Sequence, residues 1–404
     1  MDTERLTEAV PVPLRPGFDH GTDPEVLQRH PYVWDDLREQ SQAFGSDAMP
    51  WTLWYLTRFD DVQAAFQQHG VFSSSQVNYN VNDNVNDTHQ WIPAQVDPPD
   101  HTKYRVLLNP LFGTRAVAAM EPGVRSLSRS LVQGLVATGG CDFVARFAHR
   151  VPSGVFMQLM GLPAEQADVF LGWAKALLHT SETSDPDGAI RKDASRTIYR
   201  YLAEVIAARR ITPGDDVVSH LLGTQVDGRP VTDDELREMC FLLYVAGMDT
   251  TAGVFSYAFR HLAEHPEHRR LLIDNPAAIE SFVEEVLRFY SIVATSRVVC
   301  DDVEFAGCPM RTGDRIVLST TGANRDPRQF ADADRFIPDR APNRHIAFGA
   351  GIHRCVGAPL ARMELRVAID EWLRVIPDFS IATGTTIIQH VGGAAGLDAL
   401  PLVW

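Results

Sequence analysis

The ten residues Phe348-Gly349-Ala350-Gly351-Ile352-His353-Arg354-Cys355-Val356-Gly357 lead directly into a helical run from Ala358 to Asp370, and they limit the fold more than any other stretch. A thiolate is a soft anionic metal ligand, and it persists near neutral pH only where backbone amides, a helix N-terminus or a metal cation lower its pKa. This stretch offers all three. Gly349 and Gly351 let the loop turn its amides toward one sulfur, and Gly357 removes the side chain that would hold a flat ligand off the first helical turn. Phe348 stands where it would keep water from Cys355. A lone cysteine is more often a buried structural residue; here the spacing argues for a metal thiolate.

The pattern F-G-x-G-x-H-x-C-x-G followed by A-P-L-A-R-x-E resembles the heme-binding loop of cytochromes P-450. The resemblance implies that Cys355 is the axial iron ligand of heme b (iron protoporphyrin IX), pushing electron density toward O–O cleavage. It also implies a mostly α fold with a small β region, as a single domain over residues 1–404 whose first 20 or so residues are extended.

Composition agrees with a large globular protein. The 404 residues are 45% hydrophobic, ample for a sizeable core. Met1 to Pro16 has charged residues and no apolar core, so neither a signal peptide nor a membrane anchor is expected, and the expected location is cytoplasmic. Five cysteines without a CxxC support neither a disulfide framework nor a zinc knuckle. With 37 basic against 52 acidic residues the net charge is −15, which speaks against nucleic acid or an anionic membrane as partner. Arg340, Arg344, Arg354, Arg362 and Arg366 nevertheless make a basic island around the cysteine loop. It reads either as a solvated face with internal ion pairs or as a dock for an acidic electron donor.

Along the chain, Asp23 to Gln42 reads as a first helix, Trp51 to Arg58 alternates like a strand, and Asp60 to Gln68 is helical again. Phe72 to Gln90 is polar and asparagine-rich, the character of a lid or binding loop. Asp97-Pro98-Pro99 opens a helix with His101 and Arg105 one turn apart on one face. Helices are then expected from Pro122 to Ala137, Phe143 to Met160, Ala164 to Leu178 and Ile190 to Arg210. The polar break from Thr180 to Asp187 is the expected hinge of a segment that opens for substrate. No repeat or linker interrupts the chain.

Thr232-Asp233-Asp234-Glu235 is a capping box, and the helix it opens meets no proline until Pro266. About thirty residues would span ~45 Å. Its apolar middle is interrupted by Ala246-Gly247-Met248-Asp249-Thr250-Thr251. Ala246 and Gly247 remove bulk where a diatomic would fit, and Thr250 can bond back to the Ala246 carbonyl and loosen the ladder. A carboxylate and a hydroxyl are costly there unless used; the plainer alternative is a kink with Asp249 paired to an arginine. A-G-x-D-T-T resembles the oxygen-activating acid and alcohol of the same family. That implies Asp249 and Thr250 as catalytic residues and Gly247 beside the heme.

Glu285-Val286-Leu287-Arg288 puts a carboxylate and a guanidinium on one helix face. Glu267-His268-Arg269-Arg270 does the same, so position ahead of Arg297 and Pro338-Asp339-Arg340 singles out the first. The resemblance implies that Glu285, Arg288 and Arg340 form a buried ion network steadying the cysteine loop. It further implies that His101, Arg105, Arg297 and His353 reach the heme propionates, with Phe348 and Gly349 against the cofactor.

Trp91-Ile92-Pro93 ahead of Asp97-Pro98-Pro99, with closing strands at Ile376 to Ile381 and Ala399 to Trp404, most resembles the bacterial camphor-hydroxylating branch. Where that branch has a tyrosine for the substrate ketone, this chain has His89, and Gly392 to Gly396 is made of small residues. The resemblance therefore implies a roomier pocket walled by Trp91, Val245, Val293 and Ala394, with His89 as the polar handle for a compact terpenoid- or norisoprenoid-like hydrophobe. The implied reaction is hydroxylation with O2 and two electrons from NAD(P)H, delivered by a reductase and a 2Fe-2S ferredoxin. Two alternatives stand beside it: a peroxygenase using hydrogen peroxide, which would not need Asp249 and Thr250, and a non-catalytic heme sensor, which would need an output segment.

Overall fold

The computed structural model describes residues 14–75, 90–180 and 184–404, and the architecture is predominantly helical with small β elements. His89 lies outside the described residues, as does most of the expected polar loop. The chain forms two compact units: Met1–Tyr79 with Gly253–Cys355 and Pro377–Trp404, and Asn80–Ala252 with Val356–Ile376.

The first unit is built on a five-stranded sheet in the order Ala43–Ser46, Leu53–Leu56, Arg315–Ser319, Ala294–Val299 and Phe72–Ser73. The strand expected over Trp51 to Arg58 is Leu53–Leu56, but it does not alternate: all four residues are buried, because the strand lies inside the sheet. It pairs in parallel with Arg315–Ser319, Trp54 opposite Ile316, and the Trp54 indole N–H donates to Asp314 at 2.9 Å across 260 residues. Ile316 lies opposite Arg297 on the antiparallel side, and that register fixes where the arginine sits.

The expected first helix is two helices, Pro24–Arg29 and Val33–Gln40. Pro31 lacks the N–H that a continuous ladder would need, while Asp23 caps the first piece by accepting from the N–H groups of Glu25 and Val26. Ser380–Ile381 and Pro401–Val403 form the closing antiparallel pair.

In the second unit, Thr114–Leu135 packs against Ala358–Val375, the helix that follows the cysteine loop in sequence. Arg125 bridges Asp370 at 2.6 Å and Glu371 at 2.7 Å, and Arg129 adds a second cation to Glu371 at 2.8 Å. These arginines hold the Glu371 carboxyl below its usual range. The Trp372 ring lies edge-on to Phe143 and Phe147 at 5.2 and 5.1 Å. The Thr114 helix starts eight residues earlier than Pro122, which is inside it. Alanines 116, 118 and 119 favour helix strongly enough that one missing hydrogen bond does not end it.

The capping box is complete: the Thr232 N–H donates to Glu235 at 2.8 Å and the Glu235 N–H to Thr232 Oγ1 at 3.2 Å. The helix it opens is not continuous. Asp233–Met248 and Thr250–Glu264 are separated at Asp249, whose φ of −111° is stretched beyond that of a regular helix while its ψ of −46° stays helical. The stretch Asp233–Glu264 is long and apolar enough to cross a membrane by length and composition, but 67% of its most apolar window is buried in the protein, as in a core helix.

Candidate active site

The cysteine loop turns on two glycines in the left-handed region, Gly349 at φ +72° and Gly351 at φ +69°. A Cβ at Gly351 would lie 2.5 Å from the Phe66 carbonyl oxygen, so no side chain fits there. The Cys355 N–H donates to the Phe348 carbonyl at 2.9 Å and closes the turn. The base of the loop is pinned by Asn324 Oδ1, which accepts from the Ile346 N–H at 2.8 Å, and by a His345–Glu284 contact at 3.0 Å. Cys355 is exposed, whereas burial pushes the Cys240 and Cys308 thiols up to about 12. Those two behave as inert core residues.

Behind the loop, Glu285 and Arg288 are wholly buried and paired at 2.8 Å. Arg340 donates to both Glu285 oxygens at 3.1 Å, Asn343 adds a bond at 3.1 Å, and the Ile337 N–H adds one at 2.8 Å. Arg288 also donates to the carbonyls of Asn324, Ala333 and Arg335. Burial draws the Arg288 pKa down and the bonds to Glu285 oppose it. One carboxylate thus gathers the 333–343 segment that leads into the cysteine loop. The rival Glu267 motif does something else: Arg269 donates to the carbonyls of Leu262 and Phe379.

Arg297 is 4% exposed, and its guanidinium donates only to Thr295 Oγ1 and the Ser296 carbonyl. No carboxylate pairs with it among the described residues. A buried cation without a counter-charge is costly, so this site suits an anionic group. Phe66 ties the cation to the loop: its ring lies 5.6 Å from the guanidinium carbon, and a Cβ at Gly349 would sit 3.5 Å from the same ring. Sequence reasoning missed Phe66, because an apolar residue on an amphipathic helix carries no functional signal. A thiol loop and an unneutralised arginine that both border one aromatic ring fit an iron-bearing, carboxylate-bearing planar group such as heme.

In the second unit, the Thr250 hydroxyl donates to the Ala246 carbonyl at 2.7 Å, and Asp249 Oδ1 lies 2.7 Å from His179 Nε2. The partner of the carboxylate is thus a histidine, where an arginine was the expected alternative. His179 was missed as a site residue; its one signal was its place at the end of the Ala167–Leu178 helix, where the polar break begins. A Cβ at Gly247 would meet only Phe156, at 4.0 Å. His101 is buried and Arg105, one turn on, donates to Asn109 at 2.8 Å. Trp91 packs 5.8 Å from Phe241, one turn before Val245.

In the first unit, Val293 and Ala394 face each other in an antiparallel bridge, and the Ala395 N–H donates to the Ile292 carbonyl at 2.8 Å. A Cβ at Gly253 would lie 2.5 Å from the Ala395 oxygen, so helix and loop backbone touch directly. His353 is half-buried within the cysteine loop. The basic island is smaller than the sequence suggests, since Arg340 serves Glu285 and Arg366 pairs with Glu121. Arg344 and Arg354 are exposed.

Residues 179–275 and 277–388 match the family model for cytochrome P-450. The mycinamicin IV hydroxylase/epoxidase of Micromonospora griseorubida is 34% identical over 364 residues, covering 87% of this chain and 89% of that protein. The crystal structure of cytochrome P-450 CYP101C1 superposes with a TM-score of 0.87 at 34% identity over 97% of this chain and 98% of the other. The polyketide synthase cytochrome P-450 PksS of Bacillus subtilis does so with a TM-score of 0.87 at 30% identity over 96% and 99%. The sulfur loop, the buried Glu285 network and these likenesses over nearly the whole chain agree: it belongs to the cytochrome P-450 family, as a heme b-binding monooxygenase of the oxidoreductase class.

Proposed function

We propose that this monooxygenase hydroxylates a compact hydrophobic substrate of terpenoid or norisoprenoid character, with electrons from NAD(P)H passed through a reductase and a 2Fe-2S ferredoxin. The interrupted helix at Asp249 carries the reading. An acid and an alcohol side by side, one held by His179 and the other by the Ala246 carbonyl, are a proton-handling pair that a peroxide-driven enzyme or a heme sensor does not need. Cys355 would hold the heme iron through its sulfur, and the bound group would supply the reductive activation of O2. Within the first unit, Arg297, buried without a carboxylate partner among the described residues, and His353 would take its propionates. Asp249 holds a proton on its carboxyl and passes it on, and Thr250 turns its Oγ1–H from the Ala246 carbonyl to receive and relay it. General acid help of this kind contributes about 10²–10⁴ in rate.

Trp91 and Val245 make apolar walls in the second unit, and His89 supplies the polar contact that orients the substrate. In the first unit the small residues from Gly392 to Gly396 flank the Val293–Ala394 bridge, and a Cβ at Gly392 or Gly393 would meet nothing within 4 Å. Exposed Arg344 and Arg354 offer an acidic ferredoxin part of its contact. The test is Thr250→Ala with the reconstituted electron donors and a panel of monoterpene and norisoprenoid ketones. NADH consumption persists while product falls and hydrogen peroxide rises. Unchanged coupling of NADH to product removes Thr250 from the mechanism, and a panel that yields no product removes the substrate class.

A further inference from the structure

Where the Thr250–Glu264 helix gives way to Pro266–Asp274, the first unit gathers His261, His265, Glu267 and His268. The spacing H-x-x-x-H-x-E-H wraps them around the corner at Pro266. His265 Nδ1 and Glu267 Oε1 are 3.1 Å apart, and one donor atom each from His265, Glu267 and His268 lies within 4.8 Å of the other two. Two ligands about 2.0–2.1 Å from one tetrahedral ion are ~3.3 Å apart. The His265–Glu267 edge is therefore already at coordinating distance, and His268 closes on it by a side-chain adjustment of about 1.5 Å at most. The side chains of His265 and Glu267 are 42% and 63% exposed, so an ion reaches them from solvent.

The inner side of the cluster supplies what a ligating imidazole normally has, a hydrogen-bond partner for its other nitrogen. His268 Nδ1 lies 2.8 Å from Nε2 of buried His261, whose Nδ1 lies 2.9 Å from the Tyr290 hydroxyl. The Phe336 ring stacks on His261 at 3.8 Å and holds it in place. Two imidazoles and one carboxylate suit a borderline transition ion and not Ca²⁺ or Mg²⁺.

We infer that His265, Glu267 and His268 form a divalent transition-metal site of the Zn²⁺ class, with His268 coordinating through Nε2 while His261 and Tyr290 orient it from behind. None of these residues belongs to the heme site. The bound ion joins the end of one helix to the start of the next across the Pro266 corner.

The test is Zn²⁺ titration by calorimetry into the heme-loaded enzyme after chelator treatment. We expect saturable binding that is weakened about tenfold or more in His265→Ala and in His268→Ala, and also in His261→Phe, which keeps all three ligands. A fall in heat on His220→Ala, a surface histidine elsewhere, is not expected. Absence of saturable binding below millimolar Zn²⁺, or wild-type affinity in His265→Ala and His268→Ala, overturns the site. Wild-type affinity in His261→Phe overturns the orienting role.

Discussion

Replacing Glu285 with glutamine keeps the shape of the side chain and removes its charge from a fully buried position. The carboxylate accepts from Arg288 twice at 2.8 Å, from Arg340, from Asn343 and from the Ile337 amide. Glutamine offers one acceptor oxygen, so whichever way the amide turns, one arginine donor meets an N–H group and both guanidinium charges lose their counter-ion. Two charge-assisted hydrogen bonds at about 1.5–3 kcal/mol each give the same magnitude as breaking a buried ion pair, about 3–5 kcal/mol. The expected outcome of Glu285→Gln is a large drop in the urea midpoint by circular dichroism, with weaker heme retention because the 333–343 segment loosens. Glu280→Gln, on the exposed side of the same helix, is the control. A Glu285→Gln unfolding free energy within about 0.5 kcal/mol of wild type, as for an ordinary surface change, would refute the reasoning.

Gly351→Ala forces a side chain to within 2.5 Å of the Phe66 oxygen in a left-handed backbone, and should abolish the red-shifted Soret band of the reduced carbon monoxide complex; a normal band would show that the loop relaxes freely. His179→Phe removes the partner of Asp249, and should slow product formation by less than the roughly 10²–10⁴ expected for Asp249→Asn; equal rates in wild type and His179→Phe would leave the contact without a role. Glu364 is buried with Oε2 unpartnered among the described residues, and burial raises its carboxyl from 4.5 to about 8. The native state then holds a proton that the unfolded chain loses, so its contribution is full below pH 4.5 and is lost as pH rises to about 8. Glu364→Gln lacks this loss, and its stability advantage should widen across that window and stay constant above it; parallel stability curves would contradict the assignment.

Several of these features could be read before any coordinates. The capping box at Thr232 announces itself because both partners are local, and the bond from Thr250 to Ala246 follows from the same one-turn geometry. The glycine pattern of the cysteine loop is legible because the backbone conformations it needs exclude other residues. Partnerships across long separations were not legible. Nothing in the sequence links Asp249 to His179, or Phe66 to both Arg297 and Gly349, because such contacts depend on packing and not on period. Local rules also mislead when applied singly: Pro122 reads as a helix start, yet the alanines ahead of it carry the helix from Thr114, and Arg125 and Arg129 anchor the turns beyond it to the Ala358–Val375 helix.

The parallel pairing of Leu53–Leu56 with Arg315–Ser319 has a consequence for synthesis. At 5–20 residues per second, roughly 13–50 s pass between emergence of the first strand from the ribosome and arrival of its neighbour. During that interval Leu53-Trp54-Tyr55-Leu56 presents an apolar edge able to pair only with Ala43–Ser46, the kind of edge that invites aggregation. Yield of the intact protein in a heterologous host should therefore respond more to translation speed and chaperone supply than to heme supply alone.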